Sequence, residues 1–288
     1  MNPSPDAIGR AAADALLFEA RLTPKPGLVD ANGPGAHADM DLPLLERSAE
    51  ALLPFFRLFA ARGAACASVP PDGLLHVIRA DGVEAERTMF AATNGVNTHK
   101  GAIFLLGALC FSAGRRSARR ESLVADAVAR DAGAVCRGVT RELGGGAGRA
   151  FSRYGAAGAR GEAEAGYPGA VSVALPAYAA ACAHGSCERD AWLLALLALI
   201  GELEDANVLA RCGAETAAWL RRTSRALAAA HPSGGAALIE SIVSLDGECR
   251  RRNASPGGAA DLLACTAFLR SLERGLTGPP ITAQGGIS

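Results

Sequence analysis

The feature that most constrains this chain is its apolar periodicity, which is helical along nearly the whole length. Segments such as 6–21 and 189–203 repeat apolar residues three and four positions apart, the spacing of one helix face. No segment alternates apolar and polar residues with a β-branched bias, as strands do. The sequence therefore predicts an all-α fold, with residues 1–288 forming a single compact multi-helix domain around a polar central cleft. We expect residues 277–288 to form a frayed tail.

Composition excludes several classes of protein. Hydrophobic residues make up 50% of the 288, which is typical of a globular and not a disordered chain. With 29 basic and 29 acidic residues, no overall field favours nucleic acid or an anionic membrane. The most apolar run, 191–200, is too short to span a bilayer. Eight cysteines without a C-x-x-C pair argue against structural zinc. Since residues 1–10 lack a secretory signal, we expect a reduced, cytoplasmic protein.

The most informative polar stretch covers residues 93–102, just before an apolar run. Thr98 is a predicted N-cap, so His99, Lys100 and Gly101 would open a helix with unpaired N–H groups. Such an end attracts phosphate, Lys100 adds a positive charge, and Gly101 leaves room for close approach. An ordinary capped helix with a solvated lysine remains an alternative.

A second stretch, 253–261, repeats this pattern. Ser255 is a predicted N-cap and Pro256 fits the first helical position. Gly257 and Gly258 leave the first N–H groups accessible, so we expect a second anion site here. By contrast, the glycine-rich run 144–148 has no preceding strand and no Gly-Lys-Ser/Thr ending, and is interpreted as a flexible link. The basic run 115–120 has no interleaved aromatic residues to stack bases and is interpreted as a solvated turn between helices. A helix break is predicted near Gly82 and one long helix over 121–143.

Further polar residues lie in loops or at helix ends. The loop at 32–41 concentrates His37, Asp39 and Asp41, which favours a functional role over a mere connector, and Asp41 can cap the next helix. Arg160 is suited to clamp phosphate and Glu162 to bind a metal, unless the two pair with each other on the surface. The remaining candidates are Glu84, Glu86, Asp205, Asn207, Arg211, Asn253 and Asp261.

Phosphate sites among so many carboxylates imply a bridging hard cation, because the acids would otherwise repel the ligand. Mg²⁺ fits, since it binds through one or two carboxylates and the phosphates of the ligand. These residues therefore indicate an enzyme acting on a nucleotide-like polyphosphate, without a Walker or Rossmann motif.

Several strings resemble the triphosphoribosyl-dephospho-coenzyme A synthases, which serve citrate lyase and malonate decarboxylase. The matching stretches are Leu-Thr-Pro-Lys-Pro-Gly-Leu-Val at 22–29, Gly-Ala-His-Ala-Asp-Met at 35–40, Gly-Val-Asn-Thr-His-Lys-Gly-Ala-Ile-Phe at 95–104, Arg-Gly-Glu-Ala at 160–163, Gly-Tyr-Pro at 166–168, Asp-Ala-Asn at 205–207 with Arg211, Asn-Ala-Ser-Pro-Gly-Gly at 253–258 and Ala-Asp-Leu-Leu at 260–263. They cover nearly the whole chain in the family's order. Asn94 and Ala206 depart from the family pattern without altering a charged position.

The resemblance implies that ATP and 3′-dephospho-coenzyme A are the substrates. The 2′-hydroxyl of dephospho-coenzyme A would attack C1 of the ATP ribose, adenine would leave, and the triphosphate would stay on the transferred sugar. The product would be the precursor of an acyl-carrier prosthetic group. We would then expect this protein to make transient contact with a prosthetic-group transferase or an acyl-carrier subunit. We expect neither a nucleic acid nor a membrane as a partner.

Substitution at an anomeric carbon passes through an oxocarbenium-like transition state and needs a base and a proton donor. We assign Asp39 or Glu86 as the base, while His37 or His99 protonates adenine or orients phosphate. The predicted substrate and phosphate ligands are Lys25, Asn97, Thr98, Lys100, Gly101, Arg160, Asn207, Arg211, Asn253, Ser255, Gly257 and Gly258. The predicted metal ligands are Asp41, Glu84, Glu162, Asp205 and Asp261.

Two other classes remain open at this point. One is a helical Mg²⁺-dependent hydrolase of a nucleotide or ADP-ribose-like ligand, which would release sugar phosphate without needing dephospho-coenzyme A. The other is a non-catalytic adaptor that binds an acyl-carrier partner.

Overall fold

The computed structural model describes residues 2–142 and 157–276. Its helices are α1 Pro5–Arg21, α2 Leu42–Ala65, α3 His76–Ala92, α4 Lys100–Ala118, α5 Ala125–Val135, α6 Gly158–Glu164, α7 Leu175–Ala183, α8 Glu188–Glu202, α9 Ala206–Ala230, α10 Ala236–Arg251 and α11 Gly257–Glu273. A 3₁₀ turn covers Val139–Glu142 and a π-helical turn covers Gly169–Ala174. Over these ranges no strand forms, so the predicted all-α fold is confirmed. The run 144–148 and the tail 277–288 lie outside the described residues.

Helices α1, α2, α4 and α11 pack against one another and share one large apolar core with α8. Small residues let α2 and α4 touch along their backbones. A Cβ on Gly63 would lie 1.9 Å from the Phe111 carbonyl oxygen, and one on Gly114 would lie 2.0 Å from that of Ala60. Because real Cβ atoms do not approach so closely, this packing requires glycine at both positions. These contacts hold the C-terminal parts of α2 and α4 together.

The end of α4 corrects one prediction. Residues 115–120 read as a solvated basic turn, but Arg115 is fully buried. Its guanidinium donates to Asp131 and to the carbonyl oxygens of Cys66 and Val69. A buried cation needs such partners, because leaving water otherwise costs several kcal/mol. Arg115 is therefore an internal brace between α2, α4 and α5.

Several helix boundaries also differ from expectation. The predicted break near Gly82 is absent, and α3 is continuous. A predicted helix over 121–143 ends instead at Val135, shortly before Gly138 takes a left-handed φ of 88°. The polar stretch at 155–169 contains the short helix α6. Helix α9 starts at Ala206 and is kinked at Gly213, whose φ is 78°.

None of the helices in the described ranges combines the length and the apolar character that crossing a bilayer would need.

Candidate active site

One cavity of about 1500 Å³ gathers most of the predicted site residues. The segments that line it come from the whole chain: the α1–α2 loop, the α3–α4 junction, α6, the α8–α9 junction and the α10–α11 junction. The predicted residues found on its wall are Lys25, His37, Asp39, Glu86, Asn97, Thr98, His99, Lys100, Gly101, Arg160, Glu162, Asp205, Asn207, Arg211, Asn253, Ser255, Gly257, Gly258 and Asp261. The convergence of distant polar loops is therefore a property of the fold.

Two predicted metal ligands, Asp41 and Glu84, do not line the cavity. Asp41 caps α2, accepting from the Leu44 amide at 2.8 Å, so its predicted capping role is confirmed. Glu84 forms an exposed ion pair with Arg87 at 3.1 Å. Their carboxylates belong to the surface, and we assign neither a metal.

Lys25 lies at the inner wall of the cavity and is only 1% exposed. Its Nζ donates to the Glu19 carboxylate and to the Glu19 carbonyl oxygen, both at 2.6 Å. Glu19 was not predicted as a site residue. A signal was present, because Glu19 falls on the apolar face of α1, four residues after Ala15 and three after Leu16. Lys25 thus forms a buried ion pair, whereas the sequence suggested a free ammonium for phosphate.

His99 is 4% exposed and lies beside this ion pair. Its Nδ1 is 2.8 Å from the Ser48 hydroxyl, which is 2.7 Å from the Thr98 hydroxyl. Its Nε2 is buried and has no hydrogen-bond partner among the described residues. Burial, together with the charge of Lys25, lowers the pKa of His99 to about 4. His99 is therefore a neutral imidazole at physiological pH.

The start of α4 is organised differently from the prediction. Thr98 is not its N-cap, because the helix begins at Lys100 and the capping position is His99, without a side-chain bond. Instead, the Asp261 carboxylate of α11 lies against the first turn of α4, where the Ala102 amide acts to lower its pKa. A Cβ on Gly101 would lie 2.0 Å from Asp261 Oδ2, so glycine makes room for this acid and not for a ligand. Burial and the nearby charges of Glu19 and Asp205 raise the pKa of Asp261 well above its usual value.

The start of α11 is also capped by an acid from elsewhere in the chain. Ser255 was predicted as its N-cap, but the capping position is Pro256 and Ser255 contacts His37. The Asp205 carboxylate accepts from the amides of Gly258 and Ala259 at 2.8 and 3.2 Å. Its other oxygen accepts from the first amides of α9, those of Asn207 and Val208, at 2.8 and 3.3 Å.

Asp205 therefore joins two helix starts through one carboxylate. Burial raises its pKa, and the four amide bonds oppose that shift. Both oxygens are committed to amides, which makes Asp205 a structural clamp and leaves it poorly placed as the predicted metal ligand. The two predicted anion sites have protein carboxylates at their helix ends, and no local sequence pattern indicates these long-range contacts.

The more exposed part of the cavity lining carries a polar group that we call the rim: His37, Asp39, Lys100 and Arg211. His37 Nε2 is 2.8 Å from the Ser255 hydroxyl, and Nδ1 is 3.7 Å from the Asp39 carboxylate. Burial and the charge of Arg211 lower the pKa of His37, against an opposing effect of Asp39. Arg211 also donates to the Asn253 side chain and to the Ala36 carbonyl oxygen. Lys100 pairs with Glu86 at 2.8 Å.

Glu162 and Arg160 project from α6 and its flanking turns. The Glu162 carboxylate accepts from the Gly169 amide at 3.0 Å, and burial raises its pKa. Arg160 donates to the Glu142 carbonyl oxygen at 2.7 Å, so the alternative in which these two residues pair with each other is wrong. No group of three or more potential ligands in metal-binding geometry occurs among the described residues.

Comparisons with known proteins identify the family of the chain. The family model for ATP:dephospho-CoA triphosphoribosyl transferase matches residues 5–279. A probable 2-(5″-triphosphoribosyl)-3′-dephosphocoenzyme-A synthase of Citrobacter koseri is 42% identical over 277 residues, covering 93% of this chain and 91% of that protein. The 2-(5″-triphosphoribosyl)-3′-dephosphocoenzyme-A synthase of Pectobacterium atrosepticum is 40% identical over 269 residues, covering 91% and 88%. No solved structure matches the chain. The chain belongs to the ATP:dephospho-CoA triphosphoribosyl transferase family.

Proposed function

We propose that this protein transfers the 5-triphosphoribosyl group of ATP to the 2′-hydroxyl of 3′-dephospho-coenzyme A and releases adenine. The observation that carries the proposal is a cavity of about 1500 Å³ lined by residues from the strings on which the family resemblance rests. Pockets for one small molecule usually measure about 300–1000 Å³. A larger cavity with charged walls has room for both nucleotide substrates, as a direct transfer between them requires.

The exposed cations of the cavity wall are the groups we assign to phosphate. Lys100, Arg160, Arg211 and Arg250 line the cavity from four separate segments. Guanidinium groups suit phosphate because they donate in a planar fork. Their present partners are protein carboxylate, amide or carbonyl oxygens, which phosphate oxygens can replace. These residues would hold the triphosphate and the diphosphate of the two substrates.

Mg²⁺ is part of the proposal and would be held by Glu162 and Asp261 together with substrate phosphates. Both carboxylates line the cavity, and Glu162 uses one oxygen for the Gly169 amide. Mg²⁺ commonly binds through only one or two carboxylates plus phosphate. When bound, the ion would offset phosphate charge that those acids would otherwise repel.

The chemistry fits the groups that line the cavity. As the C1–adenine bond breaks, the ribose gains oxocarbenium character, so nearby carboxylates lower the energy of the transition state. Asp39 is 64% exposed at its side chain and lies beside His37, whereas Glu86 is bound to Lys100. We therefore assign these two predicted bases to orienting His37 and Lys100. His37 would orient phosphate.

The product would serve as precursor of the acyl-carrier prosthetic group of malonate decarboxylase or citrate lyase. Contact with a prosthetic-group transferase or an acyl-carrier subunit remains a prediction that depends on this assignment.

A mass-spectrometric assay tests the proposed function. The protein is incubated with ATP, Mg²⁺ and dephospho-coenzyme A, and both the coenzyme and the released base are measured. We expect dephospho-coenzyme A to gain one triphosphoribosyl group. Free sugar phosphate with unmodified dephospho-coenzyme A would point to a hydrolase, and no change in either substrate would point to a binding protein.

A further inference from the structure

The hydrogen-bonded chain formed by Thr98, Ser48 and His99 has no role in the function set out above. Ser48 is completely buried in α2, and its hydroxyl bridges Thr98 Oγ1 and His99 Nδ1. The chain ends at His99 Nε2, which is buried without a partner among the described residues, in a residue that lines the cavity. Buried polar atoms of native proteins are nearly always hydrogen-bonded. An unpaired ring nitrogen at a cavity wall therefore indicates an atom that bonds to a ligand.

The direction in which the Ser48 hydroxyl donates its hydrogen determines whether His99 Nε2 carries a proton. The Ser48 hydroxyl has one hydrogen, which it can give either to Thr98 or to the imidazole. When Ser48 donates to Thr98, it accepts from Nδ1–H, and Nε2 is left unprotonated. A neutral imidazole held in this tautomer carries its lone pair on Nε2, which is the requirement for a general base.

We propose that His99 Nε2 accepts the proton of the attacking 2′-hydroxyl and that Ser48 is the positioning residue that holds His99 in the required tautomer. This deepens the proposed function and rests on it. In the step, the O–H bond of the 2′-hydroxyl breaks and its proton moves to Nε2. The new bond from this oxygen to C1 of the ATP ribose forms as the C1–adenine bond breaks. The bonding electron pair leaves with adenine, which then takes the proton from Nε2 and departs neutral.

The electrostatics of the free site favour this role. The positive charge of Lys25, which is paired with Glu19, acts on the imidazole, and the ring nitrogen Nδ1 faces the neutral Ser48 hydroxyl. The Lys25 ammonium and burial keep the ring neutral before substrates bind. An anionic triphosphate entering the cavity opposes the effect of Lys25 and makes Nε2 more basic when the substrates are present.

Kinetic parameters of four variants test the proposal. His99→Gln keeps a polar side chain but removes the base, and Ser48→Ala removes the positioning bond. His76→Gln changes an exposed histidine, and Ser224→Ala removes a buried hydroxyl without a partner, so these are matched controls. We expect His99→Gln to lower kcat about 100-fold or more, the range of general base catalysis, with little change in either KM. Ser48→Ala should lower kcat by about tenfold, and both controls should match the parent.

A chemical rescue distinguishes a proton acceptor from a packing group. In His99→Ala, added imidazole should restore product formation in proportion to its neutral form as pH is varied. If the parent makes no product, the proposed function itself is wrong. If the parent is active and folded His99→Gln keeps kcat within about threefold, the assignment of His99 as base is overturned. Failure of imidazole to rescue folded His99→Ala, with an unchanged kcat in Ser48→Ala, overturns it equally.

Discussion

The buried and the exposed parts of the cavity lining hold their charged groups differently. The buried cluster, which comprises Glu19, Lys25, Ser48 and His99, lies between α1, α2 and the start of α4. Each of its side chains is hydrogen-bonded inside the protein, and His99 Nε2 has no hydrogen-bond partner among the described residues. On the rim, Lys100 and Asp39 have side chains that are 54% and 64% exposed. We propose that the buried cluster serves the proton transfer, whereas the rim binds anions and exchanges its protein partners for phosphate.

The largest loss of unfolding free energy should come from breaking the buried ion pair between Lys25 and Glu19. Lys25→Met leaves the Glu19 carboxylate buried without its cation, which should cost about 3–5 kcal/mol of unfolding free energy. Urea denaturation measures this loss. The double variant Glu19→Gln with Lys25→Met should regain much of the stability, because no unpaired charge remains. A loss below about 1 kcal/mol in Lys25→Met would mean that the pair behaves like one on the surface.

The pH dependence of the unfolding free energy should reveal that the folded protein buries His99 as a neutral imidazole. Its pKa falls from 6.5 to about 4 in the folded protein, so the unfolded chain binds the proton more tightly. The stability that follows from this shift is therefore present above pH 6.5 and is lost as pH falls toward 4. Relative to His99→Gln, the parent should lose about 3 kcal/mol over that interval. Parallel denaturation curves for the two proteins at every pH would exclude a neutral buried imidazole.

The stability contributed by Asp205, which caps two helices, can be compared with that contributed by Asp41, which caps one. Asp205→Ala removes four amide bonds at two helix starts, whereas Asp41→Ala removes one bond at α2. Since one cap contributes about 1 kcal/mol, we expect losses of about 2 kcal/mol or more for Asp205→Ala and about 1 kcal/mol for Asp41→Ala. Equal losses in thermal unfolding would show that Asp205 does not clamp both helices.

The smallest change in stability should come from the rim. Lys100→Ala breaks a half-exposed ion pair, so unfolding free energy should move by less than about 0.5 kcal/mol. The same change should raise the KM for ATP about tenfold, which corresponds to about 1.4 kcal/mol of lost binding. Arg87→Ala, which breaks the surface pair with Glu84, is the matched control and should leave KM unchanged. A normal KM in Lys100→Ala would remove the rim from phosphate recognition.

The sequence predicted the helical fold and most of the residues that meet in the cavity, because periodicity and polar interruptions are local signals. It did not predict what the helix starts contact. Thr98 and Ser255 have the chemistry of N-caps, yet Asp261 and Asp205 reach the helix starts from distant positions, which no local pattern reveals. Glu19 was missed because it lies inside a regular apolar helix.

Ser48 was missed for a related reason. It falls on the apolar face of α2, between Leu45 and Leu52, where a small polar residue is easily taken for packing. Its function depends on the hydroxyl of Thr98 and the ring of His99, which approach only when α2 packs against the start of α4. Polar residues on apolar helix faces were therefore the overlooked signal in this chain.

The dependence of adenine release on the second substrate tests the central claim most directly. Adenine is quantified after incubation with ATP and Mg²⁺, with and without dephospho-coenzyme A. If one cavity joins both substrates, adenine appears only when dephospho-coenzyme A is present, and each adenine is matched by one triphosphoribosylated coenzyme. Adenine release from ATP alone, at the same rate as in the complete mixture, would contradict the account.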